Sequence, residues 1–85
     1  KHIGLDDIIE AIVNRLGEVQ RVFLIGDYAK GIDSGLIEVV IEGGMIHQEY
    51  LEQLKEKIEK EIQKTIIFQV TNRFEGDGLL VFEQE

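Results

Sequence analysis

Cysteine is absent from the 85 residues, and with it go disulfides, thiolate metal sites and thiol nucleophiles. That absence fits an intracellular, cytoplasmic setting. Proline is missing too, which decides nothing by itself. Basic side chains are few. Nine Lys and Arg stand against seventeen Asp and Glu, for a formal charge of −8. Phosphate contact needs a basic footprint, so the balance argues against direct nucleic-acid binding by the domain. Acidity of this kind is ordinary for a soluble bacterial domain. No apolar run approaches membrane-spanning length and no signal-peptide pattern is visible, so no membrane partner is expected. No internal repeat, low-complexity tract or linker interrupts the chain.

What is present is 44% apolar residues, enough for one small core in a single domain over 1–85. Lys1 in first place reads as the cut end of a domain excised from a longer chain. Lys1 to Gly4 is a lead-in, and His2 within it reads as a solvated side chain. Leu5, Ile8, Ile9, Ile12, Val13 and Leu16 recur at steps of three and four, which predicts a helix with one apolar stripe. Asp6 and Asp7 suit its first turn and Arg15 its last, with Gly17 as the stop. Glu18 to Ile25 reads as a strand, with Gln20 and Arg21 at the rim of the sheet.

The stretch Val22 to Ile41 organises the rest. Val22-Phe23-Leu24-Ile25 is a short buried strand that stops at Gly26. Gly26 and Gly31 bracket Asp27-Tyr28-Ala29-Lys30, enough for one helical turn. Tyr28 is expected to pack its ring over this loop, and Lys30 to be solvated. Asp33 and Ser34 read as turn residues that bond their own backbone. Leu36 to Ile41 forms a second strand, with Leu36, Glu38 and Val40 on one face and Ile37, Val39 and Ile41 on the other. Glu38 is thus an acid on an otherwise apolar face. Gly26 and Gly31 have the spacing of a P-loop, but Ile32-Asp33 stands where Lys-[Ser/Thr] is required. The glycine spacing of a Rossmann fingerprint is not present.

Glu42-Gly43-Gly44 is expected to end the second strand, with His47 a surface residue at the start of the next helix. Gln48 to Lys64 is the strongest helix, with Leu51, Leu54, Ile58 and Ile62 as its apolar line and Glu56–Lys60 as a surface pair. It is expected to pack on a sheet rather than in a coiled coil. Thr65 to Thr71 and Leu79 to Glu83 read as two more strands. The short link between them favours a hairpin. Phe74 in that link is expected to fold back on the core.

Gly26-Asp27-Tyr28-Ala29-Lys30-Gly31, then Ser34 and Leu36-Ile37-Glu38-Val39-Val40-Ile41, resembles the minimal nucleotidyltransferases of the DNA polymerase beta-like superfamily. Those carry Gly-Ser-x-Ala-Arg-Gly, a short linker, then Ser-Asp-[Ile/Leu]-Asp-Leu and an apolar strand. The likeness extends over most of the chain. It implies an α+β fold: a two-layer, mixed sheet of about four strands with helices packed on one face. It also implies a nucleotide site at Gly26, Asp27, Lys30, Gly31 and Ser34.

The departures from that pattern are chemical. Two strand carboxylates bind divalent metal in the family, and Leu36 and Glu38 occupy their positions. Asp27 replaces the serine that helps hold the triphosphate, and a carboxylate facing phosphate is repulsive. A third acid is expected on the strand Ile66 to Thr71, which has none. A register shifted by one would put Gly35 and Ile37 in the metal seats, which is worse.

The resemblance therefore implies a degenerate domain with a remnant Glu38, no cofactor, and a binding or regulatory role. Domains like it are attached to winged-helix transcription regulators, including ArsR-like ones, so an upstream DNA-binding domain is the implied partner. Two alternatives stand beside this reading. One is an active nucleotidyltransferase that transfers NMP from NTP, with Mg²⁺ held by Glu38 with Asp33 or Asp27. The other is a homodimerising module that uses an edge strand or a helix face.

Overall fold

The computed structural model describes residues 4–85; Lys1 and His2, read above as a cut end and a solvated side chain, lie outside them. The element order is α1 (Leu5–Arg15), β1 (Gly17–Ile25), α2 (Gly26–Ala29), β2 (Leu36–Ile46), α3 (Gln48–Ile62), β3 (Thr65–Thr71) and β4 (Leu79–Glu83). The fold is α+β. Its mixed sheet has the order β3-β2-β1-β4, with three helices packed against it.

β1 runs antiparallel to both β2 and β4, while β2 and β3 are parallel. Parallel neighbours need a crossover, and α3 supplies it. Alternation then sorts the strand residues. Val22 and Leu24 of β1, Ile37, Val39 and Ile41 of β2 and Ile66 of β3 join Ile8, Ile12, Leu51, Leu54 and Ile58 of the helices in one core. Both long helices thus press their apolar stripes onto the same sheet face.

Local hydrogen bonds fix the element ends. The Gly4 amide donates to Asp7 Oδ2 at 3.0 Å, which starts α1 with an acid in its first turn. α3 ends at Ile62 rather than Lys64, because Gln63 turns into the left-handed region at φ 56°. Glu59 reaches past that end. Its Oε2 accepts from the Ile66 amide at 2.8 Å and from Lys55 Nζ at 2.9 Å, which joins α3 to the start of β3. Lys55–Glu59 thus takes the place of the expected Glu56–Lys60 among the ion pairs of the described residues.

Two expectations about strands are corrected. β2 does not end at Glu42-Gly43-Gly44 but runs on to Ile46, pairing with β1 as far back as Gly17. A Cβ at Gly43 would collide with the Glu18 carbonyl oxygen, so glycine here allows close strand approach at an irregular register. β3 and β4 form no hairpin; they lie at opposite edges of the sheet. β1 carries the fully buried Val22, and β4 covers its open side, with Phe82 opposite Val22. Arg21 is no rim residue either, since it is paired with Glu42 on one side and Glu83 on the other.

The link 72–78 therefore has to cross two strands. It does so over the face that the helices leave open, where Phe23, Val40 and Glu42 point. The Phe74 ring rests on Phe23 with centroids 4.7 Å apart. Phe23 is 8% exposed and Val40 not at all, although no helix covers that face. Phe74 does fold back on the protein, but onto the face opposite the main core.

Candidate functional site

The turn after β1 is closed by its own backbone. Gly26 adopts φ 72°, which only glycine takes without strain, and swings the chain from strand into α2. The Lys30 and Ile32 amides both donate to the Asp27 carbonyl at 2.9 Å, and the Gly31 amide to Tyr28 at 3.1 Å. Tyr28 and Ala29 pack inward on the helix-side core. Asp27, Lys30, Gly31 and Ser34 are exposed.

Glu38 lies on the open face, between Ile25 of β1 and Ile67 of β3. Its carboxylate extends back over Gly26, so that a methyl group there would run into Glu38 Oε2. The structure thus brings Glu38 and the Gly26 turn together. Leu36 shares its face two residues earlier, where a second carboxylate would have to stand.

Asp33 is held elsewhere. Its Oδ2 accepts from Lys64 Nζ at 2.8 Å and its Oδ1 from the Gly35 amide at 3.1 Å. Lys64 and that amide hold the Asp33 carboxyl below the usual range. The Gly35 carbonyl accepts from the Thr65 amide at 2.9 Å, which ties this loop to the start of β3. Among the described residues, no group of three or more His, Cys, Asp or Glu is placed to hold a metal ion. Asp27, Asp33 and Glu38 do not form such a group.

The strongest polar constellation is one the sequence reading missed. Glu42 is 6% exposed and points out of the open sheet face. Arg21 meets it as a two-pronged partner, Nε to Oε1 at 2.7 Å and Nη2 to Oε2 at 2.6 Å. The Phe74 amide adds a third bond to Oε2 at 2.9 Å. Arg21 bonding and the Phe74 amide press the Glu42 carboxyl down to about 2. The Arg21 guanidinium also lies 5.0 Å over the Phe23 ring, which itself carries Phe74.

A signal for this group was available. Glu42 follows Glu38 and Val40 at the strand period, and Arg21 precedes Phe23 at the same period. Only the β1–β2 register, which puts Arg21 opposite Glu42, was missing. Three donors engage Glu42 and Arg21 balances its charge, so the group suits fastening rather than proton transfer. Comparison of the chain with family models, with curated proteins and with solved structures gave no match.

Proposed function

We propose that this chain is a nucleotidyltransferase-like domain that has lost metal-dependent nucleotidyl transfer and serves in binding or regulation. The role is of the kind such domains have beside winged-helix transcription regulators. One observation carries the reading: the Glu38 carboxylate lies over Gly26 with the aliphatic Leu36 on the same strand face two residues before it, and among the described residues it forms no metal-holding group with Asp27 or Asp33.

Transfer between phosphate esters by two metals needs carboxylates that bridge the ions and neutralise the triphosphate. One carboxylate leaves most of that charge unbalanced. Asp33 is the nearest loop acid in sequence, and its two oxygens are occupied by Lys64 and Gly35. Recruiting it would break both bonds and unfasten the loop from Lys64.

The test is incubation of the chain with each labelled nucleoside triphosphate and Mg²⁺ or Mn²⁺, offering protein, RNA and small hydroxyl acceptors. No labelled product above a protein-free control is expected. Robust product with any acceptor would overturn the proposal.

A further inference from the structure

Residues 72–78 form a strap with unusual attachment. They link two opposite edges of the sheet, and their side-chain attachment to it runs through Phe74, with the Gly78 backbone close to Leu24 and Ile25. Asn72, Arg73 and Glu75 to Gly78 are exposed, while Phe74 is half-buried. Its amide donates to Glu42 and its ring lies on Phe23. Gly76 and Gly78 fold closely around that ring; a Cβ on either would stand 3.0 Å from it. The remaining side-chain bonds of the strap join Thr71 to Arg73 and stay within that corner.

Two further features separate the strap from the sheet energetically. The receiver for the Phe74 amide is complete without it, because Arg21 on β1 and Glu42 on β2 keep both their mutual bonds when the strap lifts. Opening therefore strands no buried charge. The strap also has slack. Three strand spacings separate β3 from β4, about 14 Å, and the register offsets Leu79 from Thr71 by three residues along the sheet, about 10 Å, so the ends lie about 17 Å apart. The eight Cα steps from Thr71 to Leu79 can reach about 26 Å. The strap can leave the face without pulling β4 from β1.

Beneath it lies an apolar patch. Phe23 and Val40 form its centre, Ile25 borders Gly78, and carboxylates stand at its two ends, Glu42 beside Arg21 and Glu38 beside Gly26. We propose that residues 72–78 are a lid: they open as a unit while the four strands remain paired, and so uncover this apolar patch. The lid stands independently of the transferase reading, since it rests only on how the strap is fastened.

Two measurements on the whole chain test it. Native-state amide exchange compares Phe74 with Val22 and Val40 on the two central strands. A lid gives Phe74 exchange about tenfold or more faster than those two, since local opening precedes global unfolding. Equal rates would mean the strap opens only when the sheet unfolds, and would overturn the proposal. Trypsin provides the second readout, because Arg73 lies in the strap with its side chain 78% exposed. In Phe74→Ala, cleavage after Arg73 is expected to rise about tenfold or more with Val22 and Val40 protection unchanged. Unchanged cleavage, or strand amides that accelerate in step with it, would also overturn the lid.

Discussion

Replacing Glu42 by glutamine removes one charge from the open face and leaves the shape of the side chain. The expected cost follows from the carboxyl's own proton affinity. Folding lowers it from 4.5 to about 2, chiefly through Arg21 and then through the Phe74 amide. That gap corresponds to a ceiling of about 3 kcal/mol of stability at neutral pH. The Arg21 side chain is 32% exposed, so solvent screening reduces the figure to about 2 kcal/mol.

The sign of the pH dependence separates this account from a packing effect. A depressed folded value means the contribution is fully present above 4.5 and is lost as pH falls toward about 2. Asp33 and Glu59 also have lowered values, so absolute acid sensitivity belongs to several groups. The difference between wild type and Glu42→Gln isolates one. Urea unfolding followed by circular dichroism at pH 7, 4, 3 and 2.5 measures it. With a slope of roughly 1 kcal/mol per molar urea for so small a chain, the neutral-pH midpoints should differ by about 2 M. The difference should shrink steadily below pH 4.5. Midpoints that stay equally far apart down to pH 2.5 would refute the ionic account and leave the lost acceptor oxygen as the cause.

Two other substitutions probe the turn and the helix end. Gly26→Ala is expected to cost about 1 kcal/mol by thermal melting, because φ 72° strains any residue with a Cβ. The collision with Glu38 adds little, since a flexible carboxylate can move aside. Full rescue of Gly26→Ala by Glu38→Ala would show that the collision, not the backbone, sets the cost. At the end of α3, Glu59→Ala should lower the melting temperature by leaving the Ile66 amide without its acceptor. Glu59→Gln keeps an acceptor there and should recover most of the loss; equal effects would locate the stabilisation in the Lys55 pair instead.

The strands and helices were legible wherever one periodicity ran undisturbed. β3 and β4 have the limits that their β-branched and aromatic runs predict, and α1 follows its stripe from Leu5. Gly43 and Gly44 misled because glycine marks a turn and a bulge alike. Only the approach of the Glu18 carbonyl distinguishes them, and that is a contact between strands. The β3–β4 hairpin failed for a related reason. Short links favour neighbouring strands, but the choice of edge depended on which one had more apolar surface to cover, and β1 with Val22 outweighed β3. Ile67 on β3 is left 46% exposed.

The fate of the acids follows from the same register. Asp33 fastens the loop before β2 to Lys64, Glu59 fastens α3 to β3, and Glu42 fastens the strap to the sheet. Each is ionised more firmly by its partners, which stabilises the fold and withdraws the carboxylate from a metal or a proton. A catalytic pair demands the opposite arrangement, with two carboxylates converging on open space and kept together by an ion neither can replace. Glu38 keeps an oxygen over the Gly26 turn, and its same-face neighbours on β2 are Leu36 and Val40. The open face is thus arranged to be covered, and the ring of Phe74 on Phe23 lies over its centre.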